Sequence, residues 1–298
     1  MKIIVTGSLG NISKPLTQEL IQKGHQVTVI SSNEEKSKAI ENLGATAAIG
    51  SLEDVHFISE TFHGADLVYT MVPPANYFDP SLDLLGYYER LGKNYQQAIS
   101  NATVRKVINL STIGGHLNKG NGILKGANHV ENILNKLDSE VSITHIRPTE
   151  FYYNLLPQVH SAKNNGFIGS NIGNDVINSW VSPKDIAAAI ANEIEIGVLG
   201  RKVRYVASEE VTFDELATIL GQAIGKKDLK WVHYTDAQMI DGLISAGMKP
   251  DIAEGLTEMY NAIHTGLLYE DYNLNKPATF GNVKVKDFAL DFAKAYNL

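Results

Sequence analysis

Residues 6–13 read "TGSLGNIS", and they follow the apolar run Ile3-Ile4-Val5. A short apolar run, a glycine-bearing turn and then a segment with one apolar face is the order strand, loop, helix. Ile12, Leu16, Leu20 and Ile21 fall on one face at helical spacing, and Gly24 follows where a positive φ is wanted. Pro15 lies in the first turn of that helix, where its missing N–H costs little. In this setting Gly7 permits a tight turn and Gly10 lets the backbone approach a pyrophosphate. The free amides at the helix start favour the negative charge. Ser13 stands where such loops carry a third glycine, a position that serves helix–sheet packing rather than phosphate contact. A nucleotide site is the favoured reading, and a purely structural turn is the alternative.

The end of the second strand says which nucleotide. An acidic residue there would grip a ribose diol and select NAD. The chain instead reads "VISSNEEKSK", with Ser31, Ser32 and Asn33 at the strand end and no acidic group before Glu34. Hydroxyl and amide groups with Lys36 close by suit a 2′-phosphate, so NADP(H) is favoured and NAD(H) is the alternative.

The rest of the chain keeps the same rhythm. Strands at 26–30, 45–49, 65–72, 105–111 and 141–146 alternate with helices at 52–62, 82–101 and 123–137. Alternation with short connections gives a doubly wound parallel sheet. After Arg147 the pattern loosens, and residues 150–180 read as loop-rich. A helix at 183–195 and a strand at 202–208 return to the sheet, and from 209 onward the pattern is mostly helical. The expected architecture is α/β: a Rossmann-like domain of residues 1–149, rejoined by about 176–208. Residues 150–175 and 209–298 form a smaller, mainly helical C-terminal lobe that binds the substrate.

The totals narrow the function. A net charge of −7 argues against a nucleic-acid or anionic-membrane surface. The absence of cysteine removes disulfides, thiolate nucleophiles and cysteine-ligated metals, and none of the 9 histidines is spaced as a zinc pair. No transmembrane span or signal peptide is legible, so a cytoplasmic protein with no metal, binding a small-molecule substrate, is expected. A homodimer or a regulatory protein partner remains open.

Together, "TGSLGNIS", "STIGG" (111–115), "LKGANHVENIL" (124–134), "IRPTEFYYN" (146–154) and "WVSPKDIAAAIANEI" (180–194) resemble the NmrA-like family of atypical short-chain dehydrogenases/reductases. The resemblance implies a Rossmann fold with NAD(P) across the carboxyl ends of the strands. By it, Gly7, Ser8, Leu9, Gly10, Asn11 and Ile12 would cradle the pyrophosphate. Ser31, Ser32, Asn33 and Lys36 would face the adenosine ribose, with Ser51 near adenine. Met71, Val72, Pro73 and Pro74 would line the nicotinamide ribose, and Ser111 and Thr112 would lie beneath the nicotinamide. Pro148, Thr149, Glu150 and Phe151 would close over it.

The superfamily's acid–base tyrosine stands four residues before a lysine, one helical turn away on the same face. Lys125 aligns with that lysine as a ribose-binding group, but position 121 is asparagine, whose amide exchanges no proton near pH 7. His116, in the loop expected to overhang the nicotinamide, is the candidate substitute. Tyr77, Phe78 and Tyr152 are candidates for the substrate wall, against the alternative that they are packing residues. The leading expectation is an NADPH-dependent reductase of a conjugated acceptor such as a quinone, which takes hydride without a strong protein acid. A non-catalytic NAD(P)-sensing regulator is the second reading, and a sugar-nucleotide epimerase, which needs the missing tyrosine, the third.

Overall fold

The computed structural model describes residues 1–298. Strands β1 (Lys2–Val5), β2 (Gln26–Ser31), β3 (Thr46–Ile49), β4 (Leu67–Thr70), β5 (Lys106–Leu110) and β6 (Ser142–Pro148) come first. Between them run α1 (Ser13–Gln22), α2 (Ser37–Glu41), α3 (Val55–Phe62), α4 (Leu84–Asn101) and α5 (Lys125–Leu134). Then follow β7 (Glu150–Phe151), α6 (Gln158–Asn164), β8 (Phe167–Ser170), β9 (Ile177–Val181), α7 (Pro183–Ile196) and β10 (Arg201–Val206). The chain closes with β11 (Glu209–Thr212), α8 (Phe213–Ala223), β12 (Lys230–His233), α9 (Asp236–Ser245), α10 (Pro250–His264), α11 (Glu270–Leu274) and α12 (Val285–Asn297).

Seven strands form one sheet in the order β10-β6-β5-β4-β1-β2-β3, every neighbour parallel. The order reverses between β1 and β4, which opens a crevice above their carboxyl ends where ligands of such sheets bind. Strand residues alternate between two cores, as the two-residue period requires. Ile3 and Val5 face α1 and α7, while Ile4 faces α3, α4 and α5.

A further core gathers around Trp180, Tyr152, Phe213, Phe288 and Phe292, all fully or almost fully buried. Here the expected loops are corrected. Residues 150–180 and the segment after 209 supply five short strands, paired as β11-β9-β7 and β12-β8. In β8 the backbone of Val232 passes so close to Gly169 that a Cβ there would lie 2.2 Å from a carbonyl oxygen. Strands of four residues with a glycine inside carry too little alternation to be read from sequence.

The end of the chain is tied to the sheet region through α7. Ser182 caps this helix and Pro183 occupies its first turn. Buried Asp185 accepts bonds from the amides of Asn282 and Val283, both at 3.0 Å, and from the Ser208 hydroxyl at 2.6 Å. No helix is long and apolar enough to cross a membrane.

Candidate active site

The turn after β1 bends through two left-handed residues, Gly7 at φ +86° and Ser8 at φ +54°. Ser8 donates its amide to the Ile30 carbonyl at 3.0 Å, and Gly10 donates its own to Gly7 at 3.1 Å. The amides of Leu9, Asn11, Ile12 and Ser13 have no acceptor within the protein, and no side chain caps α1. These donors gather at the positive end of a helix dipole, on the carboxyl edge of the sheet at its reversal point. Ser13 is buried, and its hydroxyl donates to the Thr6 carbonyl at 2.8 Å. A Cβ on Gly7 would stand 2.7 Å from that hydroxyl and 3.0 Å from the Met71 sulfur. The serine thus does by hydrogen bonding what a third glycine does by close packing.

At the end of β2 the expected ribose contacts divide. Ser31 is buried, and its hydroxyl is engaged by Ser8 at 2.9 Å. Asn33 spends its side-chain oxygen on the Glu35 amide at 2.8 Å. Ser32 and Lys36 are exposed, with no partner for either side chain. Ser51, also exposed, accepts from the Glu53 amide at 3.1 Å and shapes the turn after β3.

Beyond β4, Met71 is fixed at both ends of its peptide. Its amide donates to Thr6 Oγ1 at 3.0 Å, and its carbonyl accepts from Tyr95 at 2.6 Å. Val72 turns toward the sheet core, while Pro73 is half-buried and Pro74 exposed. Beyond β5, Thr112 is half-buried with its hydroxyl unpartnered, whereas Ser111 is buried and donates to Glu131. Glu131 also grips Arg147 in a two-pronged pair at 2.9 and 2.6 Å. Arg147 reaches on to Asp271 at 3.0 Å and Tyr205 at 3.2 Å, so a buried polar network joins α5, β6 and α11. Ser111 is therefore a structural anchor rather than a free hydroxyl beneath a ligand.

Asn121 is wholly buried and clamps the preceding loop, donating to the carbonyls of Gly114 at 3.1 Å and Leu117 at 2.9 Å. Next to it, Gly122 meets α10 so closely that a Cβ would lie 1.8 Å from the Gly255 carbonyl oxygen. Position 121 thus belongs to the packing of a loop against a helix, not to a cleft. Lys125 opens α5, exposed and without a partner. His116 does not hang in a free loop. Its Nδ1 is buried without a partner, and burial lowers its pKa despite nearby Asp271, so the ring is neutral at pH 7.

Pro148 and Thr149 are buried at the end of β6, and Thr149 hydrogen-bonds β10 through its amide at 3.0 Å. Phe151 is half-buried, its ring 5.0 Å from that of Tyr153. Tyr152, expected on the substrate wall, is instead core. It stacks between Trp180 and Phe288, and its hydroxyl donates to the Val283 carbonyl at 3.2 Å. The residue after it faces outward. Tyr153, Tyr77, Tyr88 and Tyr260 are all half-buried, and none of their hydroxyls has a protein partner or is sealed from solvent. Enclosure raises all four, Tyr153 to about 12, and Tyr77 adds its charge to what each of the other three feels. Phe78 stands more exposed at 53%.

Glu150 contributes to the field that Tyr260 feels. Its Oε2 accepts from Asn178 at 2.8 Å, and Asn178 is held in turn by the Tyr269 hydroxyl. Burial, working against that bond, pushes the carboxyl up to about 7. Neither Tyr88, Tyr260 nor the titration of Glu150 could be picked out from sequence, because their neighbours come from β9, α4 and α10. Two surface hollows lie elsewhere: one of ≈ 310 Å³ between α3 and the end of α4, one of ≈ 370 Å³ beside Tyr269 and His264. Neither includes the glycine loop.

The sequence pattern of the NmrA-like family matches residues 1–276. The chain belongs to the NmrA-like family. Among solved structures this NmrA-like chain resembles an NADPH-dependent quinone oxidoreductase from Escherichia coli in complex with NADPH. That likeness has a TM-score of 0.80 at 21% identity, over 96% of this chain and 98% of that one. It also resembles a triphenylmethane reductase from Citrobacter sp., with a TM-score of 0.79 at 20% identity, over 99% and 100%. A nucleoside-diphosphate-sugar epimerase from Staphylococcus aureus gives 0.77 at 15% identity, over 97% and 100%. A sterol-4-alpha-carboxylate 3-dehydrogenase from Dictyostelium discoideum is 33% identical over 66 residues, which is 22% of this chain and 20% of that relative's length.

Proposed function

We propose that this NmrA-like protein is an NADP(H)-dependent reductase that delivers hydride to a small conjugated acceptor such as a quinone. The observation that carries this reading is the cluster of four unpaired amides, Leu9, Asn11, Ile12 and Ser13, at the start of α1. Those amides would hold a diphosphate, and Ser32 and Lys36 a 2′-phosphorylated ribose. Met71 to Pro74, Thr112 and Lys125 would receive the nicotinamide end. When bound, reduced nicotinamide supplies the hydride. The chain's own part is to hold the acceptor against the tyrosines of the cleft, limit water there and stabilise the charge that develops. Similarity to proteins named as a triphenylmethane reductase and a quinone oxidoreductase, both solved with NADP(H), supports the reading.

The test is titration with NADPH and NADH, followed by nicotinamide fluorescence, and then a panel of quinones and enals followed by loss of nicotinamide absorbance. NADPH should bind at least about tenfold more tightly than NADH. Gly10→Val should remain folded but lose dinucleotide binding, since its Cβ would stand 3.0 Å from the Gly7 carbonyl oxygen and push the loop's amides out of place. Tight binding by that variant would make the loop a mere turn, and no turnover with any acceptor would dismiss the reductase reading.

A second reading, an NAD(P)-sensing regulator with a protein partner, is favoured by one observation: the sequence has Asn121, whose amide exchanges no proton near pH 7, where the resemblance puts the acid–base tyrosine. It requires different affinities for the oxidised and reduced dinucleotide, because equal affinities shift no equilibrium.

A further inference from the structure

We propose that the hollow of ≈ 370 Å³ beside Tyr269 and His264 is a second binding site, which takes a small carboxylate with an apolar body. The site goes beyond the reductase reading, because no residue expected to touch the dinucleotide or the acceptor lines it.

The hollow lies where the turn after α10 meets the start of β9. Ile263 and Tyr269 are buried and make its floor, and Val176 and Ile177 add an apolar wall. Ile177 is 62% exposed, a large apolar side chain left in water at the edge of a concave surface. Small-ligand sites run from about 300 to 1,000 Å³, so this one is sized for a single ring with a short polar head.

The spare polar capacity of the hollow is mostly that of donors. His264 accepts the Gly173 amide on Nδ1 at 3.0 Å, which orients the ring. The neutral ring then carries its proton on Nε2, where no protein group receives it. Lys276 lays its ammonium across both oxygens of Glu210 at 2.9 Å and keeps a third N–H. The side-chain amide of Asn273, on the same rim, makes no hydrogen bond within the protein.

Acceptors, by contrast, are already engaged. Besides Lys276, Glu210 receives the Tyr272 hydroxyl at 2.8 Å, and its charge is balanced by the lysine. Helix α10 ends here with the negative pole of its dipole. Yet the carbonyls of Asn261 and Ile263 at that end accept from the amides of Thr265 and Gly266 at 2.9 and 3.0 Å. An ammonium ligand would find these acceptors taken, and a neutral amide would forgo the lysine charge. Three spare donors beside an apolar wall match a carboxylate head on an apolar body.

The test titrates benzoate into the full chain without dinucleotide, followed by calorimetry. A Kd of about 1 mM or tighter is expected. Benzamide and benzylamine keep the ring with a neutral or a cationic head, and should bind at least about tenfold more weakly. Nitrogen-15 amide shifts should move in residues 263–276 and stay still in 7–13 and 55–63. Ile177→Glu sets a like charge in the wall at an exposed position, and should weaken benzoate at least about tenfold with the fold intact. Lys276→Gln should do the same, and if losing the partner of Glu210 unfolds that variant, Ile177→Glu decides. Equal affinity for the three probes, full-strength binding by Ile177→Glu, or no binding up to about 20 mM overturns the proposal. So does benzoate seated on the free amides of the glycine loop, where shifts would move in Leu9–Ser13 and NADPH would displace it. If NADPH fails to bind while benzoate fills the hollow, the reductase reading falls and this site stands.

Discussion

A carboxyl whose folded pKa stands near 7, against an ordinary 4.5, leaves a signature in stability. The folded state holds the proton where the unfolded chain has released it, so stability is highest at low pH and falls as pH rises from about 4.5 to about 7. Glu150→Gln removes that loss. Denaturant titrations should find the variant more stable than wild type by roughly 1–3 kcal/mol above neutral pH, and no more stable near pH 4. An equal difference at both pH values would refute the assignment. A second residue tempts repair. Because Asn121 is buried and bonded to two loop carbonyls, Asn121→Tyr should not restore an acid. It should lower stability by about 1–3 kcal/mol, read by thermal unfolding, with no gain in turnover.

Among the elements, the joint between α5, β6 and α11 is the most exacting. Glu131→Ala would strand the Arg147 guanidinium in a buried setting, and should cost about 3–5 kcal/mol by denaturant unfolding. A loss under about 1 kcal/mol would mean water replaces the carboxylate. This joint also marks the boundary of what sequence discloses. The alternation of β1 to β6 with their helices is legible because buried parallel strands are plain apolar runs such as Ile3-Ile4-Val5. The glycine loop is legible because its chemistry is local. The Glu131–Arg147–Asp271 network is not, since its members lie on three separate elements and each resembles a surface charge. Tyr152 and Tyr153 differ by one position, and only the 3-10 turn that begins at Tyr152 decides which of them faces inward. β8 and β12 stay hidden because each makes sense only beside the other.

At the scale of the whole molecule, the two lobes are tied at several points, and each tie tolerates little added bulk. A Cβ at Gly281 would lie 2.3 Å from Asp185 Cγ, so Gly281→Ala should displace the carboxylate from the amides it accepts. About 2 kcal/mol or more should be lost in thermal unfolding, along with faster proteolysis of the tail that carries α12. The contact of Gly122 with Gly255 acts on a different property. Helix α10, which carries Tyr260, is seated on the loop before α5 where two backbones touch without side chains between them. The seat of that helix is therefore gauged by a missing methyl group. Alanine and then serine at position 255 would press on Ile123, 3.1 Å away, and act as a dial on how far the helix stands off.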